Sequence, residues 1–292
     1  MTFAKSNLDL NVVIPAFRAE KTIRRAIKSA YDAGATAAIV IDDGSDDRTA
    51  EVARSAGAYC VTQENSGAAR ARAVGAEIAD SKYIIFLDAD DELIPSGVRM
   101  SVNILDDSPH LAVAAGTVVG VAEGGTERPF PIRFSPVTTK TLLSQGFGPW
   151  PPCAAVVRRE AYNHSKSLDP APLAPRFAED YELLIRLSMI GDIDVRDEPT
   201  CRYSLAGGKS VRSATTAIEA KENIRRHYAT HLGLAIESMS ENQIRMAATA
   251  RRARAEWAAG NRFATAGQLT RWFLADPKTA TRKLVSQPWK RN

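Results

Sequence analysis

Cysteine is scarce: Cys60, Cys153 and Cys201 are the only three among 292 residues, widely separated and with no C-x-x-C pair. An odd number at that spacing supports neither a disulfide framework nor a zinc site, so buried free thiols are the expectation. The chain also lacks a basic N-terminal segment leading into an apolar one, and its apolar runs fall far short of the roughly 18 residues that a membrane-spanning helix needs. A cytoplasmic protein is therefore expected. Histidine occurs four times, at His110, His164, His227 and His231, without metal-ligand spacing. No glycine stands in "PAFRAEKT" after the first apolar run. That sets aside the G-x-G-x-x-G turn of a Rossmann dehydrogenase.

What is present is an ordinary globular composition, 45% hydrophobic and 25% charged. The length suits one large α/β domain with an appendage, or two domains. The net charge of +4 conceals an asymmetry: from Lys221 to Asn292 there are 14 Lys and Arg against 5 Asp and Glu, whereas residues 1–220 carry 24 against 29. The front is acidic and the tail basic.

Leu10–Ile14, Ala37–Ile41, Ala58–Thr62 and Tyr83–Leu87 are continuous apolar or β-branched runs, the pattern of strands covered on both faces. Between them Glu20–Ala33 puts Ile23, Ala26, Ile27 and Ala30 on one helical face, and Arg48–Ala56 and Ala68–Ala79 read similarly. This βαβ series predicts an α/β fold with a mostly parallel, Rossmann-like sheet flanked by helices. Leu111–Val121 adds further strand character.

In an open α/β sheet, ligands bind beyond the carboxyl ends of the strands. There the chain places Pro15-Ala16-Phe17-Arg18, then Asp42-Asp43-Gly44-Ser45-Asp46-Asp47, then Asp88-Ala89-Asp90-Asp91-Glu92. Two acidic clusters facing one crevice repel unless a cation neutralises them, and oxygen ligands suit Mg²⁺ or Mn²⁺. Mg²⁺ takes one or two carboxylates and completes its shell with phosphate oxygens and water, which points to a diphosphate substrate. The Asp42–Asp47 cluster also reads as a simple turn, with Ser45 or Asp46 capping the next helix.

"VVIPAFRAEKTIRRAI", "VIDDGSDDRT", "ENSGAARARAVG", "YIIFLDADDEL" and "FAEDYELLIRL", in this order, resemble the family 2 glycosyltransferases of the GT-A fold. The resemblance covers residues 10–105 closely and resumes around 150–212. It implies that Pro15, Ala16 and Asp43 hold the nucleotide base and ribose, and that Asn65–Arg72 lines the pocket with Arg70 contacting base or phosphate. It further implies that Asp88 faces the ribose and metal region, Asp90 ligates Mn²⁺ or Mg²⁺ with Asp91 in support, and Glu179-Asp180 forms an acidic pair with Asp180 as general base. Glu92 reads as a solvated turn residue. The implied reaction is inverting transfer from a nucleotide sugar, expected to be uridine-linked, to a hydroxyl of a glycan or lipid-linked acceptor in surface polysaccharide synthesis.

Two departures stand out. Ala71 occupies a position where relatives often have Asn, and Ser204 stands where many carry a histidine that reaches the metal or diphosphate. Lys209, Ser210 or Arg212 would then meet the diphosphate in its place. The Gln-x-x-Arg-Trp signature of processive synthases is missing after Asp180, so one sugar per encounter is expected. Two alternatives stay open: a sugar nucleotidyltransferase, which would want a Gly-rich basic loop after the first strand, and a degenerate, non-catalytic binding or scaffold protein of the same fold.

The domain expectation is a catalytic region at 1–214, split into a nucleotide-sugar half (1–120) and an acceptor half (121–214), followed by a basic helical region at 215–292. The Gly- and Pro-rich stretch Glu123–Phe177 reads as long loops, in which Trp150 either stacks on a sugar or packs the loop down. Helices are expected at Ile244–Trp257 and Phe263–Ala275. Basic residues interleaved with Trp in this tail suit either a solvated face or peripheral docking on an anionic membrane. Nucleic acid is not an expected partner, given the acidic front.

Overall fold

A computed structural model describes residues 8–122, 124–205, 213–258, 260–277 and 279–281. By its internal contacts the chain divides into two compact units, 1–205 and 206–292.

The first unit is built on a nine-stranded sheet. Its N-terminal half alternates β1 (Leu10–Ala16), α1 (Ile23–Asp32), β2 (Ala37–Asp42), α2 (Thr49–Ser55), β3 (Tyr59–Thr62), α3 (Ala68–Ile78) and β4 (Tyr83–Phe86). The strands lie in the order β3-β2-β1-β4, and every neighbouring pair is parallel. After β4 come β5 (Glu92–Leu93), α4 (Pro95–Asp107), β6 (Leu111–Val121), β7 (Glu127–Phe130), α5 (Thr139–Gln145), β8 (Ala155–Arg158), α6 (Arg159–Ser165), α7 (Glu179–Ser188) and β9 (Asp192–Ser204).

Beyond β4 the sheet is mixed. Strand β8 pairs antiparallel with β4 and β6, while β9 runs parallel to β6, so six of the nine strands share one direction and β5, β7 and β8 oppose it. The stretch read as loop between Glu123 and Phe177 therefore holds two strands and two helices. Each is at most seven residues long, too short for a periodicity to declare itself between its glycines and prolines. Helix α5 is nonetheless well terminated. Thr138 and Thr141 form a reciprocal capping box, and Gly146 closes the helix at φ 75°.

Alternation along the strands builds two cores. Leu10, Val12, Ile14 and Ala16 of β1 pack with α1 and α4 on one face of the sheet. Val13, with Ile39 and Ile41, packs with Ala71 and Ala76 of α3, Tyr162 of α6 and Leu187 of α7 on the other. Helix α3 approaches β1 closely because position 75 is glycine: a Cβ there would stand 2.3 Å from Cγ1 of Val13. This seats the start of α3 beside the carboxyl ends of β1 and β2.

The second unit contains α8 (Ala214–His231), α9 (Glu241–Ala258) and α10 (Arg262–Ala275). The two helices expected from sequence are present with slightly wider bounds. Among the described residues no helix is long and apolar enough to cross a membrane.

Candidate active site

The loops after β1 and β2 are tied to each other by the acids of the second one. Asp46 takes two hydrogen bonds from Arg18, at 2.7 and 2.8 Å, and Ser45 Oγ accepts from Arg18 N. Asp47 accepts from the amides of Thr49 and Glu20. Neither Ser45 nor Asp46 caps α2: the N-cap position falls on Arg48, and Asp47 before it accepts from the first helical amide, Thr49 N. Asp46 and Asp47 are thus both spent on the loops.

Pro15 and Ala16 are buried in register with Ile41 and Asp42. Asp43 is only 4% exposed. Its carboxylate accepts from Gln63 Nε2, Ser66 N and Gly67 N, each at 2.8 Å, while its carbonyl accepts from Asn65 Nδ2 at 2.9 Å. Asp43 therefore orders the 63–67 loop, whose last member, Gly67, holds φ 91° at the head of α3.

At the carboxyl end of β4, Asp88–Asp91 forms a turn closed by Asp91 N donating to the Asp88 carbonyl. Arg72, on the first turns of α3, donates one guanidinium nitrogen to Asp88 and another to Glu179. Its side chain is 15% exposed, and its Nε is buried without a hydrogen-bond partner. Burial works against its charge, but Asp88, Glu179 and Asp180 outweigh that and hold its pKa above the ordinary arginine value. Arg70 is exposed. Arg72, which the sequence reading did not single out, is the arginine that joins the two acidic groups.

Glu179 and Asp180 open α7, where carboxylates meet the positive end of the helix. Ala178, just before them, is left-handed at φ 67°, a conformation that costs a non-glycine residue about 1 kcal/mol. Burial pushes the Glu179 carboxyl above its usual range, Arg72 pulls it down and Asp180 pushes it up. Further along α7, Arg186 is buried and donates to the carbonyls of Ser165, Leu168 and Pro170, and Glu182 accepts from Leu173 N. These two side chains pin the 165–173 segment to the helix. Trp150 is half-buried and packs against both cores.

Asp90 is exposed, and partial desolvation followed by the charge of Asp88 holds its carboxyl above the ordinary range, with the Ser204 side chain hydrogen-bonded to it and working the other way. Ser204 N donates to Asp91 Oδ1 at 2.8 Å. Where the resemblance would have a histidine, a serine thus buttresses both acids. Glu92, expected in a solvated turn, instead opens β5 opposite Arg202, is half-buried and pairs with Arg25 at 3.5 Å.

Asp91 is 2% exposed and its Oδ2 has no hydrogen-bond partner. Burial, then the Asp88 charge, push its pKa up to about 8. The thiols of Cys153 and Cys201 and a carboxylate oxygen of Asp91 lie within 4.8 Å of one another, all buried. Burial raises both thiols, so each stays protonated. Free buried cysteines were expected; their meeting with Asp91 was not, since 48 residues of sequence separate them. Lys209, Ser210 and Arg212 lie outside the described residues.

The floor of the crevice therefore gathers Asp88, Asp90, Asp91, Glu179 and Asp180 around a single buried arginine among the described residues. Comparison with known proteins gives the family. Residues 11–165, more than half of the chain, match the model for Glycosyl transferase family 2. A succinoglycan biosynthesis protein, ExoU, of Rhizobium meliloti (strain 1021) is 28% identical over 273 residues, covering 83% of this chain and 75% of its own. Two other curated glycosyltransferases, 39% and 41% identical over 94 and 92 residues, are matched over only 27% and 24% of their length. Among solved structures, S. aureus TarS 1-349 in complex with UDP-GlcNAc superposes with a TM-score of 0.59 at 16% identity, over 93% of this chain and 82% of that one. Glucosyl-3-phosphoglycerate synthase from Mycobacterium tuberculosis, in complex with Mn²⁺ and UDP-glucose, gives 0.52 at 21% identity, over 77% and 79%. The chain belongs to glycosyl transferase family 2 and has the GT-A fold.

Proposed function

We propose that the protein transfers a sugar, with inversion, from a uridine-linked nucleoside diphosphate sugar to a hydroxyl of a glycan or lipid-linked acceptor in surface polysaccharide synthesis. The observation that carries this reading is the Arg72 bridge, which sets the acidic turn after β4 beside the acidic head of α7. Donor-side and acceptor-side carboxylates are thereby held at one place.

Asp180 is the proposed base: it accepts the proton of the acceptor hydroxyl as that oxygen attacks the anomeric carbon. Glu179 is a positioning residue, fixed by Arg72. Asp88, Asp90, Glu179 and Asp180 against Arg72 leave a negative site that fits a divalent cation. Asp90 would hold Mn²⁺ or Mg²⁺ with Asp88 beside it, and the bound ion would supply electrostatic stabilisation of the leaving diphosphate. Asp43 serves the nucleotide through the loop it orders, Pro15 and Ala16 through the strand end beneath it, and Lys209 remains the proposed diphosphate contact. Uridine is supported by the nucleotides in the two superposed structures, and polysaccharide synthesis by the name of the Rhizobium relative.

The test is calorimetric titration of uridine, guanosine and thymidine diphosphates with and without Mn²⁺, on the native chain, Asp90→Ala and Asp180→Asn. The expected result is metal-dependent binding of uridine diphosphate, lost in Asp90→Ala and kept in Asp180→Asn, with transfer lost in both. Metal-independent binding, or none, would overturn the donor-site assignment.

A further inference from the structure

Helix α10 is built the wrong way round for a soluble helix. Its packed side presents Thr265, Gln268 and Trp272, of which Thr265 is buried and Gln268 carries a buried Oε1 without a hydrogen-bond partner. Its bulky apolar residues face out instead: Phe263 is 94% exposed, Leu274 69%, Leu269 50% and Phe273 41%. At 3.6 residues per turn these four fall within an arc of about 140°, together with the exposed Ala266 and Thr270. The face is continuous and runs the length of the helix. An exposed apolar stripe of this kind marks a contact surface.

The charges say what it contacts. No Asp or Glu occurs from Arg262 to Ala275, Arg262 stands at the start of the apolar arc, and Arg271 flanks it. The preceding helix α9 adds the exposed Arg254 and ends near Trp257, itself 65% exposed. From Lys221 onward cations outnumber anions 14 to 5. Two copies meeting through this face would bring like charges together, whereas an anionic lipid surface complements them. Aromatic and aliphatic side chains on one face, with arginines at its edge, suit a helix lying in the plane of a bilayer interface.

We propose that α10 docks on the surface of an anionic lipid bilayer, with Phe263, Leu269, Phe273 and Leu274 entering the headgroup region and Arg262 and Arg271 meeting lipid phosphates. The apolar contact sits on Arg262–Ala275 itself. Docking stands on this face alone and is independent of donor chemistry. It would keep the enzyme where a lipid-linked acceptor resides.

The experiment is vesicle co-sedimentation of the full chain, without donor or acceptor, using phosphatidylcholine vesicles and vesicles that also contain phosphatidylglycerol. The native chain is expected to bind the anionic vesicles at least tenfold more tightly than the neutral ones, and less tightly at high salt. Phe263→Ser with Leu274→Ser, and separately Leu269→Ser with Phe273→Ser, should each weaken binding tenfold or more with the circular dichroism spectrum unchanged. Tyr59→Ser, at an exposed aromatic of the first unit, should leave binding intact. Failure of the native chain to bind anionic vesicles, or equal binding by the serine variants, overturns the proposal. So does light scattering that shows a dimer abolished by Phe263→Ser with Leu274→Ser while vesicles go unbound, since the occupant would then be a second copy. Because nucleotide titration is read separately, none of these outcomes bears on the transfer reaction.

Discussion

Arg72 and Glu179 lie 107 residues apart in the chain and meet as an ion pair at the head of α7. The same guanidinium holds Asp88, so one side chain fastens the helix that follows the nucleotide loop to both the acidic turn and the proposed catalytic helix. Because it is largely buried, removing it leaves two carboxylates without their partner.

Arg72→Ala is therefore expected to lose about 3 kcal/mol of stability, the low end for breaking a buried pair because Asp88 remains partly solvated. Arg70→Ala, at the exposed position two residues earlier, should stay within about 0.5 kcal/mol of the native chain. Urea unfolding of both variants checks this, and equal losses would mean that the Arg72 ion pairs do not support the fold. Glu179→Gln in the Arg72→Ala background should restore part of the loss, since it removes one of the stranded charges.

The pH dependence of stability should carry the signature of Asp91. Its carboxyl, ordinarily near about 4 in an unfolded chain, is pushed up to about 8 in the fold. A folded-state pKa above the unfolded one means that the native state binds the proton more tightly. The contribution is thus fully present below about pH 4 and is lost as pH rises through about 8. Asp91→Asn, which keeps the shape and cannot ionise, should flatten this decline. Unfolding free energies at pH 5 and pH 8 decide: an equal fall in native and variant chains rules Asp91 out as the source.

Ala178 offers a change of opposite sign. Its left-handed backbone immediately precedes Glu179, and glycine adopts that conformation without a steric penalty. Ala178→Gly should stabilise the first unit by up to about 1 kcal/mol, raising Tm by roughly 2–4 °C for a unit of this size. A calorimetric scan that shows a lower Tm would mean that the φ of Ala178 is not under strain.

The parallel half of the sheet was legible because each strand is an uninterrupted apolar run, and such runs arise where helices cover both faces. The acidic turn after β4 was legible for the converse reason, since four acids after a buried strand demand a counter-charge. Arg72 was within reach as well. Helical spacing puts it on one face with Gly75, Ala76 and Ala79, the residues of α3 that pack inward, whereas Arg70 falls outside that row. The contact of Ser204 with Asp91 joins positions 113 apart, and the gathering of Cys153 and Cys201 depends on strand pairing across the second half of the sheet. No local pattern encodes either. The short elements between Glu127 and Ser165 were hidden by the prolines and glycines that punctuate them.

Gly75 gives the standoff between α3 and β1 its value, and with it the reach of Arg72. Any side chain at that position would lever the helix outward and draw the guanidinium off both carboxylates at once. The parallel half of the sheet is in this sense a fixed anvil, whereas around 131–138 and 166–178 no ladder of backbone hydrogen bonds resists a change of shape.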